Sequence, residues 1–537
     1  MQQSYLLVEG VNIYANVLDT NQLSIIRGTS FLLKDAVDKV TDKFKGQLKA
    51  ISTGASSGLY LVDSSNNSPA NSPKNDNQQL AELIDKVCAF LNTPNKDFSL
   101  LSFVVETCEA TDLLEAKEKL LTQLRIRQMR SLIAVPDRQY VDDLNRPDQL
   151  EGHRVAREGH HYKIQSDTSR YLSDSIFRRW EYGKKKKFNF YFDQKSRDLI
   201  NAENKDSVLA SIKDIGFYND FEALAKHPDD DHKLNNKLAV IYMDGNSFSK
   251  KQRDYIKNAA DQVVAQRDFD EKIQGYRANF IFQLLKKYLE QEKSEKIRLE
   301  TLLWGGDEML FVVPAWLGFD LLQFFFDQSK NWQLDNKPLT HAAGLVFCHA
   351  KTPIANIRTL AQSIADTIKD TPTGREQNAW AYLVLESIDY PSNNNIKDFN
   401  QKYYEQVLAD SKPALIPAFE GNFDVVKASL EYLIDQQLLS TRQLYKIVYA
   451  IKDNQNSIDD AFEKSWDQLV EQRNDDSLRS LHPVEKQEYR LLQLTKDKEA
   501  LSKHLKEVAT LFDMDVNKPK QRLWFWIYLY ELWDYLL

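Results

Sequence analysis

Apolar positions along this chain fall into short runs that end at charged or glycine-rich breaks, and the breaks are where chemistry is expected. Residues 238–243, Leu238-Ala239-Val240-Ile241-Tyr242-Met243, form a near-continuous apolar run that stops at Asp244-Gly245-Asn246-Ser247-Phe248. Such a run reads as a strand buried on both faces, and an acid at its end is poorly placed for simple solvation. Residues 251–292 carry helical periodicity, with Ala278, Ile281, Phe282, Leu285 and Tyr288 on one stripe. Two further apolar-rich runs, 299–304 and 309–313, flank Gly305-Gly306-Asp307-Glu308. Glycine accepts the positive φ angles of a tight hairpin, so the pattern predicts two strands joined at a tip that carries two carboxylates. A helix over 317–330, a strand over 340–348, a helix over 353–369 and a strand over 379–385 follow.

The N-terminal third repeats this outline. Tyr5-Leu6-Leu7-Val8-Glu9-Gly10-Val11-Asn12 parallels the strand before Gly245, residues 25–33 follow, and a glycine-containing turn at 54–58 leads into the apolar residues 59–62. A strand at 100–105 and an amphipathic helix around 113–124 complete the copy. No acidic pair occurs at its hairpin, so it is expected to be a degenerate copy that supplies the second wall of a shared pocket. Residues 64–79, rich in Asn, Ser and Pro, predict a mobile loop within it. From about 395 the pattern turns helical, with Val426, Leu430 and Leu433 and then Leu444, Ile447, Val448 and Ile451 at helical spacing. The division expected is 1–136, an irregular connector at 137–235, then 236–394 and a helical region at 395–537.

Composition narrows the classes. A chain of 537 residues has room for about three or four domains, and its net charge of −8 argues against a surface that is one continuous nucleic-acid groove while permitting local basic patches. Only Cys88, Cys108 and Cys348 occur, without a Cys-x-x-Cys, so neither a disulfide framework nor a zinc ribbon is expected. The polar start, Met1-Gln2-Gln3-Ser4, lacks a signal peptide, and a cytoplasmic protein is expected. The aromatic tail at 523–537 is interrupted by Glu531 and Asp534 and is too short for the ~20 apolar residues of a membrane span, so it reads as a buried closing helix without membrane insertion. His153, His160 and His161 lack nearby cysteines and read as solvated or RNA-facing. The run Lys184-Lys185-Lys186-Lys187 between Tyr182 and Phe188 fits base stacking with phosphate contacts, or a solvated loop.

The candidate chemistry lies at Asp244, Asp307 and Glu308. Adjacent carboxylates repel unless solvated or bridged by a cation, and oxygen-only ligands suit Mg²⁺ or Mn²⁺. A strand, helix, hairpin order can bring Asp244 beside the hairpin acids, the layout for two-metal attack on phosphorus. For the tetrapeptide alone, a solvated surface turn is the alternative.

Asp244-Gly245-Asn246-x-Phe248 followed by a helical insert and Gly305-Gly306-Asp307-Glu308 resembles the palm domain of GGDEF-type nucleotide cyclases and of the large polymerase-cyclase subunit of type III CRISPR effector complexes. The strand Ala343-Gly344-Leu345-Val346-Phe347 followed by His349-Ala350-Lys351-Thr352-Pro353 is similar to the second palm of the CRISPR family, and Arg27-Gly28-Thr29-Ser30 resembles the start of its first palm. The resemblance implies an α+β protein of two ferredoxin-like palms, the first degenerate, with a C-terminal helical bundle. It implies a nucleotidyltransferase that joins NTP, with ATP as substrate, into a cyclic or linear oligoadenylate messenger of antiviral defence. Asp244, Asp307, Glu308 and the carbonyl of Gly245 would hold two Mg²⁺ or Mn²⁺ ions. Gly305 and Gly306 would admit the nucleotide, Asn246 would contact ribose or phosphate, and Lys369 would contact the triphosphate or stand as a solvated helix-end lysine. CRISPR RNA and other effector subunits are the implied partners. A non-catalytic scaffold of the same complex, or a cyclase making another cyclic nucleotide, is the alternative. Two departures stand out: Glu308 replaces the second Asp of the CRISPR motif, and Met309 replaces the Phe of diguanylate cyclases. The chain opens at the first palm and has no His-Asp dipeptide, so the DNA-cleaving domain common in the family is not expected.

Overall fold

The computed structural model describes residues 2–12, 17, 19–20, 22–54, 56–63, 76–93, 96–130, 147–152, 154–157, 161–163, 169–291, 296–371, 373–385, 416–417, 423–452, 468–471, 477–478, 481 and 483–537. It is a mixed α+β structure with four sheets among these residues. The first sheet is built from β1 (Gln3–Val11), α1 (Leu23–Lys43), β2 (Leu48–Gly54), β3 (Ser57–Val62), α2 (Asp76–Leu91), β4 (Ser102–Ala110) and α3 (Leu113–Arg130), with strand order β2-β3-β1-β4. The expected loop at 64–79 needs correction at its end, because 76–79 already belong to α2; residues 64–75 lie outside the described residues.

The connector was expected to be irregular, yet its described part after residue 173 is mostly helical. A small hairpin, β5 (His161–Lys163) and β6 (Ser169–Tyr171), precedes α4 (Asp174–Lys185), α5 (Lys187–Tyr191), α6 (Gln194–Leu199), α7 (Lys205–Ile215) and α8 (Phe221–Ala225). Side-chain caps explain three of these starts: Ser173, Asp193 and Asp220 accept hydrogen bonds from the backbone N–H of Ile176, Ser196 and Ala223. Helices this short leave little periodicity to read. His153 and His160 lie outside the described residues.

The second sheet is larger. Its elements are β7 (Lys237–Gly245), α9 (Phe248–Lys257), α10 (Gln262–Gln291), β8 (Glu300–Gly305), β9 (Glu308–Pro314), α11 (Gly318–Ser329), the small pair β10 (Gln333–Leu334) and β11 (Lys337–Pro338), β12 (His341–His349), α12 (Ile354–Lys369), β13 (Ala379–Val384) and β14 (Ile416–Pro417), in the order β14-β13-β12-β7-β9-β8. The helical stretch expected at 251–292 is broken in two because Asp261 caps a new start, accepting from the N–H of Val263 and Val264. Strand for strand, β12-β7-β9-β8 repeats the order β4-β1-β3-β2 of the first sheet.

β7 is central and paired antiparallel on both edges, to β12 and β9, and Leu238 to Met243 are all buried. α12 covers one face with Ile357, Leu360, Ala361, Ile364, Ala365 and Ile368, spaced as one helical stripe. α10 and α11 pack against each other on the phenylalanine-rich core of Phe280, Phe311 and Phe325.

After the sheet come α13 (Phe423–Asp435), α14 (Thr441–Lys452), α15 (Pro483–Leu494), α16 (Lys498–Ala509) and α17 (Pro519–Leu532). α13 packs on α16, and α14 packs on α15 and α17. The aromatic tail is indeed a buried helix: Trp524 to Leu529 are buried, and Tyr382 donates to Glu531 across to the second sheet at 2.9 Å. No described helix is long and apolar enough to cross a membrane.

The first sheet is tied to the second through α1. α1 crosses α4 at a glycine pair, where a Cβ on Gly28 would collide with the Arg179 carbonyl oxygen and one on Gly183 with the Ser24 carbonyl oxygen. Gly28→Ala is therefore expected to cost about 3 kcal/mol through overpacking, measured as a lower midpoint of urea unfolding; an unchanged midpoint would contradict this crossing.

Candidate active site at the β8–β9 hairpin

β8 and β9 pair through Gly305 opposite Glu308, so Gly306 and Asp307 form a two-residue turn. Gly306 takes the left-handed φ of +50°, the conformation for which glycine is preferred at such a turn. A Cβ there would meet nothing within 4 Å, so its requirement is backbone conformation rather than space.

The same hairpin sits against the end of β7. A Cβ on Gly245 would lie 2.9 Å from the Asp307 Cβ and would collide with the Phe248 ring packed beneath the strand. Asp244 thus meets the hairpin acids across the sheet, and its charge acts on both of them. The Asp307 carboxyl is pushed up to about 6, first by burial and then by the neighbouring Asp244 and Glu308 charges. Glu308 is raised by burial and Asp244, against a hydrogen bond donated by the buried Tyr242 hydroxyl.

A folded-state pKa above the model value of 3.8 means the folded protein keeps a proton that the unfolded chain has released. The resulting advantage is full below about pH 4 and is lost as pH rises through about 6, a swing of roughly 3 kcal/mol. Asp307→Asn is thus expected to stabilise the metal-free protein by about 2–3 kcal/mol near pH 8 and hardly at all near pH 4. Urea unfolding at both pH values measures it; an equal effect at the two would contradict the crowded anion cluster.

Lys369, at the end of α12, is buried and salt-bridged to the Asp244 carboxylate, and its Nζ also donates to the Gly245 carbonyl at 3.0 Å. Two of the four groups proposed from the sequence as cation ligands, the Asp244 carboxylate and the Gly245 carbonyl, are therefore engaged by a lysine. Among the described residues no group of three or more His, Cys, Asp or Glu side chains forms a metal-holding arrangement. Asn246 is fully buried; its amide donates to Thr340 Oγ1 at 3.2 Å and to the Gln377 carbonyl at 3.0 Å, while its Oδ1 finds no partner among the described residues. It anchors the end of β7 on the side of β12.

A cavity of about 450 Å³ opens over the hairpin. Gly305, Gly306, Asp307 and Glu308 form one wall, and Gly54, Ser56 and Ser57 from the equivalent hairpin of the first sheet form another. Asp244, Gly245, Asn246 and Lys369 lie outside that lining. The two copies of the repeated topology therefore face one another across one pocket.

Three residues near the acids were not foreseen. Trp304 lines the cavity and stacks under the guanidinium of Arg277, 4.3 Å from the ring centroid. Arg277 is itself buried, its Nε has no partner among the described residues, and its pKa is lowered to about 10 by burial, against the pull of Asp307. Arg358 lines the cavity and favours the charged form of Glu308. Spacing offered a signal for it: eleven residues, three helical turns, separate it from Lys369 on one face of α12.

The lysine run at 184–187 is helical rather than a loop, with Lys184 and Lys185 exposed. It spans the junction of α4 and α5, with Lys184 over Trp180 at 5.1 Å, Lys186 over Tyr182 at 4.2 Å and Lys187 buried on Glu300 at 2.7 Å.

No protein-family model matches the chain, and no curated protein does. Among solved structures, the crystal structure of Csm1 in T. onnurineus is similar over 100% of this chain and 70% of that one, at 13% identity and a TM-score of 0.46. The Csm1-Csm4 cassette in complex with cA4 is similar over 95% of this chain and 69% of that one, at 13% identity and a TM-score of 0.42. The same cassette with AMPPNP is similar over 81% and 62%, at 15% identity and a TM-score of 0.41.

Proposed function

We propose that this protein is a palm-type nucleotidyltransferase that joins NTP, with ATP as the substrate, into a cyclic or linear oligonucleotide messenger within a CRISPR-type antiviral complex. In this reading 237–384 form the catalytic palm, 3–130 form a degenerate palm, and guide RNA and other effector subunits are partners. The observation that carries it is the pair Asp307 and Glu308 on the wall of a pocket shared by two sheets of the same strand order, with the charge of Asp244, at the end of β7, acting on both.

The donor set fits Mg²⁺ or Mn²⁺. Three carboxylates, one of them already forced up to about 6, and one carbonyl oxygen are chemistry that a hard divalent cation relieves. Asp244, Asp307, Glu308 and the Gly245 carbonyl would hold two ions once Lys369 withdraws from Asp244. Bound there, divalent ions supply Lewis acidity that eases ionisation of a ribose hydroxyl and neutralises phosphate charge. The chain's own part is positional. Gly306 shapes the turn that presents Asp307, Tyr242 holds Glu308 by its hydroxyl, and Phe248 supports the backbone of Gly245 from below. Lys369 neutralises Asp244 in the resting state and would be released toward incoming phosphate.

A second reading, a scaffold without catalysis, is favoured by one observation: Asp244 and the Gly245 carbonyl are already satisfied by Lys369. Incubation with each radiolabelled NTP and Mg²⁺ or Mn²⁺, alone and with partner subunits and target RNA, separates the two. Labelled oligonucleotide supports the transferase; its absence under every condition leaves the scaffold.

A further inference from the structure

Lys369, expected either at the triphosphate or as a solvated helix-end lysine, is buried against Asp244 and is not in the cavity wall. A different cation is. Arg358 lines the cavity one turn into α12, beside Ile354 and Ala355 of the helix's first turn. Its Nε is buried and has no hydrogen-bond partner among the described residues. A desolvated guanidinium donor without a partner is costly, and nearby Glu308 acts on it only through its charge. The first turn of a sixteen-residue helix adds the positive end of the dipole on the same wall, with the N–H groups of Asn356 and Ile357 turned back to the Pro353 carbonyl. Arg277, buried against Trp304, adds positive charge near Asp307. Arg358 and the helix end thus face a cavity whose other charged lining residues are Asp307, Glu308 and Lys34, and Lys34 is already paired with Asp38 and Asp193, the arrangement for a ligand that brings negative charge beside the hairpin acids.

We infer that Arg358 is the polyphosphate-binding residue of this pocket: its guanidinium fork takes non-bridging phosphate oxygens of a nucleoside triphosphate, assisted by the first turn of α12. This deepens the nucleotidyltransferase reading and rests on it for the nucleoside part. The phosphate part stands on the pocket alone.

The test is titration calorimetry of the full chain in Mg²⁺ with inorganic tripolyphosphate, and separately with adenosine, for wild type, Arg358→Gln and Arg358→Lys. Loss of one bidentate charge-assisted contact is expected to weaken tripolyphosphate about tenfold or more in Arg358→Gln. Arg358→Lys, which keeps the charge but loses the fork, should fall between, and adenosine binding should be the same in all three. Thermal melting of each variant verifies folding, and the lysine variant preserves the comparison if the glutamine variant melts early. Equal tripolyphosphate affinity in wild type and Arg358→Gln, or no binding by wild type, would overturn the assignment. Arg358-dependent binding without any oligonucleotide product from wild type would uphold it while removing the transferase reading.

Discussion

Replacing Asp307 and Glu308 together by alanine is expected to abolish oligonucleotide formation, by at least about a thousandfold, while leaving the protein folded. The size follows from removing preorganised charge at the point where phosphoryl chemistry would be supported. Both side chains are half-buried, and Asp307 carries a strained ionisation, so their loss relieves electrostatic repulsion, which offsets the one hydrogen bond lost, that from Tyr242 to Glu308. Stability in the variant should equal or exceed that of wild type near neutral pH. Product assays with labelled ATP, run beside urea unfolding, measure both. Activity within tenfold of wild type would remove the hairpin acids from the chemistry.

The largest effect on stability is expected at Glu300, two strand positions from Leu302 on the wall of the pocket. Its carboxylate is fully buried and accepts from Arg27 through both oxygens at 2.7 Å and from Lys187 at 2.7 Å. Arg27 belongs to α1 of the first sheet and Lys187 to the connector, so one buried acid joins three parts of the chain. Burial alone would raise the Glu300 pKa, but Arg27 and then Lys187 outweigh it and hold it below the ordinary range. Glu300→Ala would leave two buried cations uncompensated, at a cost of about 3–5 kcal/mol. A fall of that size in unfolding free energy, with Arg27 and Lys187 intact, is the expected result; a loss under about 1 kcal/mol would mean water reaches the triad. Because Glu300 begins the strand that leads to Gly305, the clasp also sets the hairpin against α1, whose Ile26, Ser30 and Leu33 line the pocket.

Much of the second sheet was legible because its strands are apolar on both faces and its breaks are chemically marked. β7 ends at Asp244-Gly245, and the turn between β8 and β9 falls on Gly306-Asp307, one residue beyond the Gly305-Gly306 junction that the sequence pattern suggests. The meeting of Asp244 with the hairpin acids was inferred from element order, and the raised Asp307 reflects their electrostatic proximity. The engagement of Lys369 by Asp244 was not legible, since periodicity gives the helix face but not how far a long side chain reaches. The lysine run misled for a related reason: four adjacent lysines read as one charged segment, yet a helix sends them in different directions, and Lys187 points to an acid 113 residues away in sequence. Arg358 and Arg277 were missed because single arginines on amphipathic helices look like surface charges. The short helices of the connector were obscured by their length.

The most direct measurement is anomalous diffraction from crystals soaked with Mn²⁺ and a non-hydrolysable triphosphate. A manganese peak bounded by the carboxylates of Asp244 and Asp307, with the Lys369 ammonium withdrawn from Asp244, is the predicted result. An empty site with Lys369 still paired to Asp244 would contradict it and leave the two facing sheets with an architectural role.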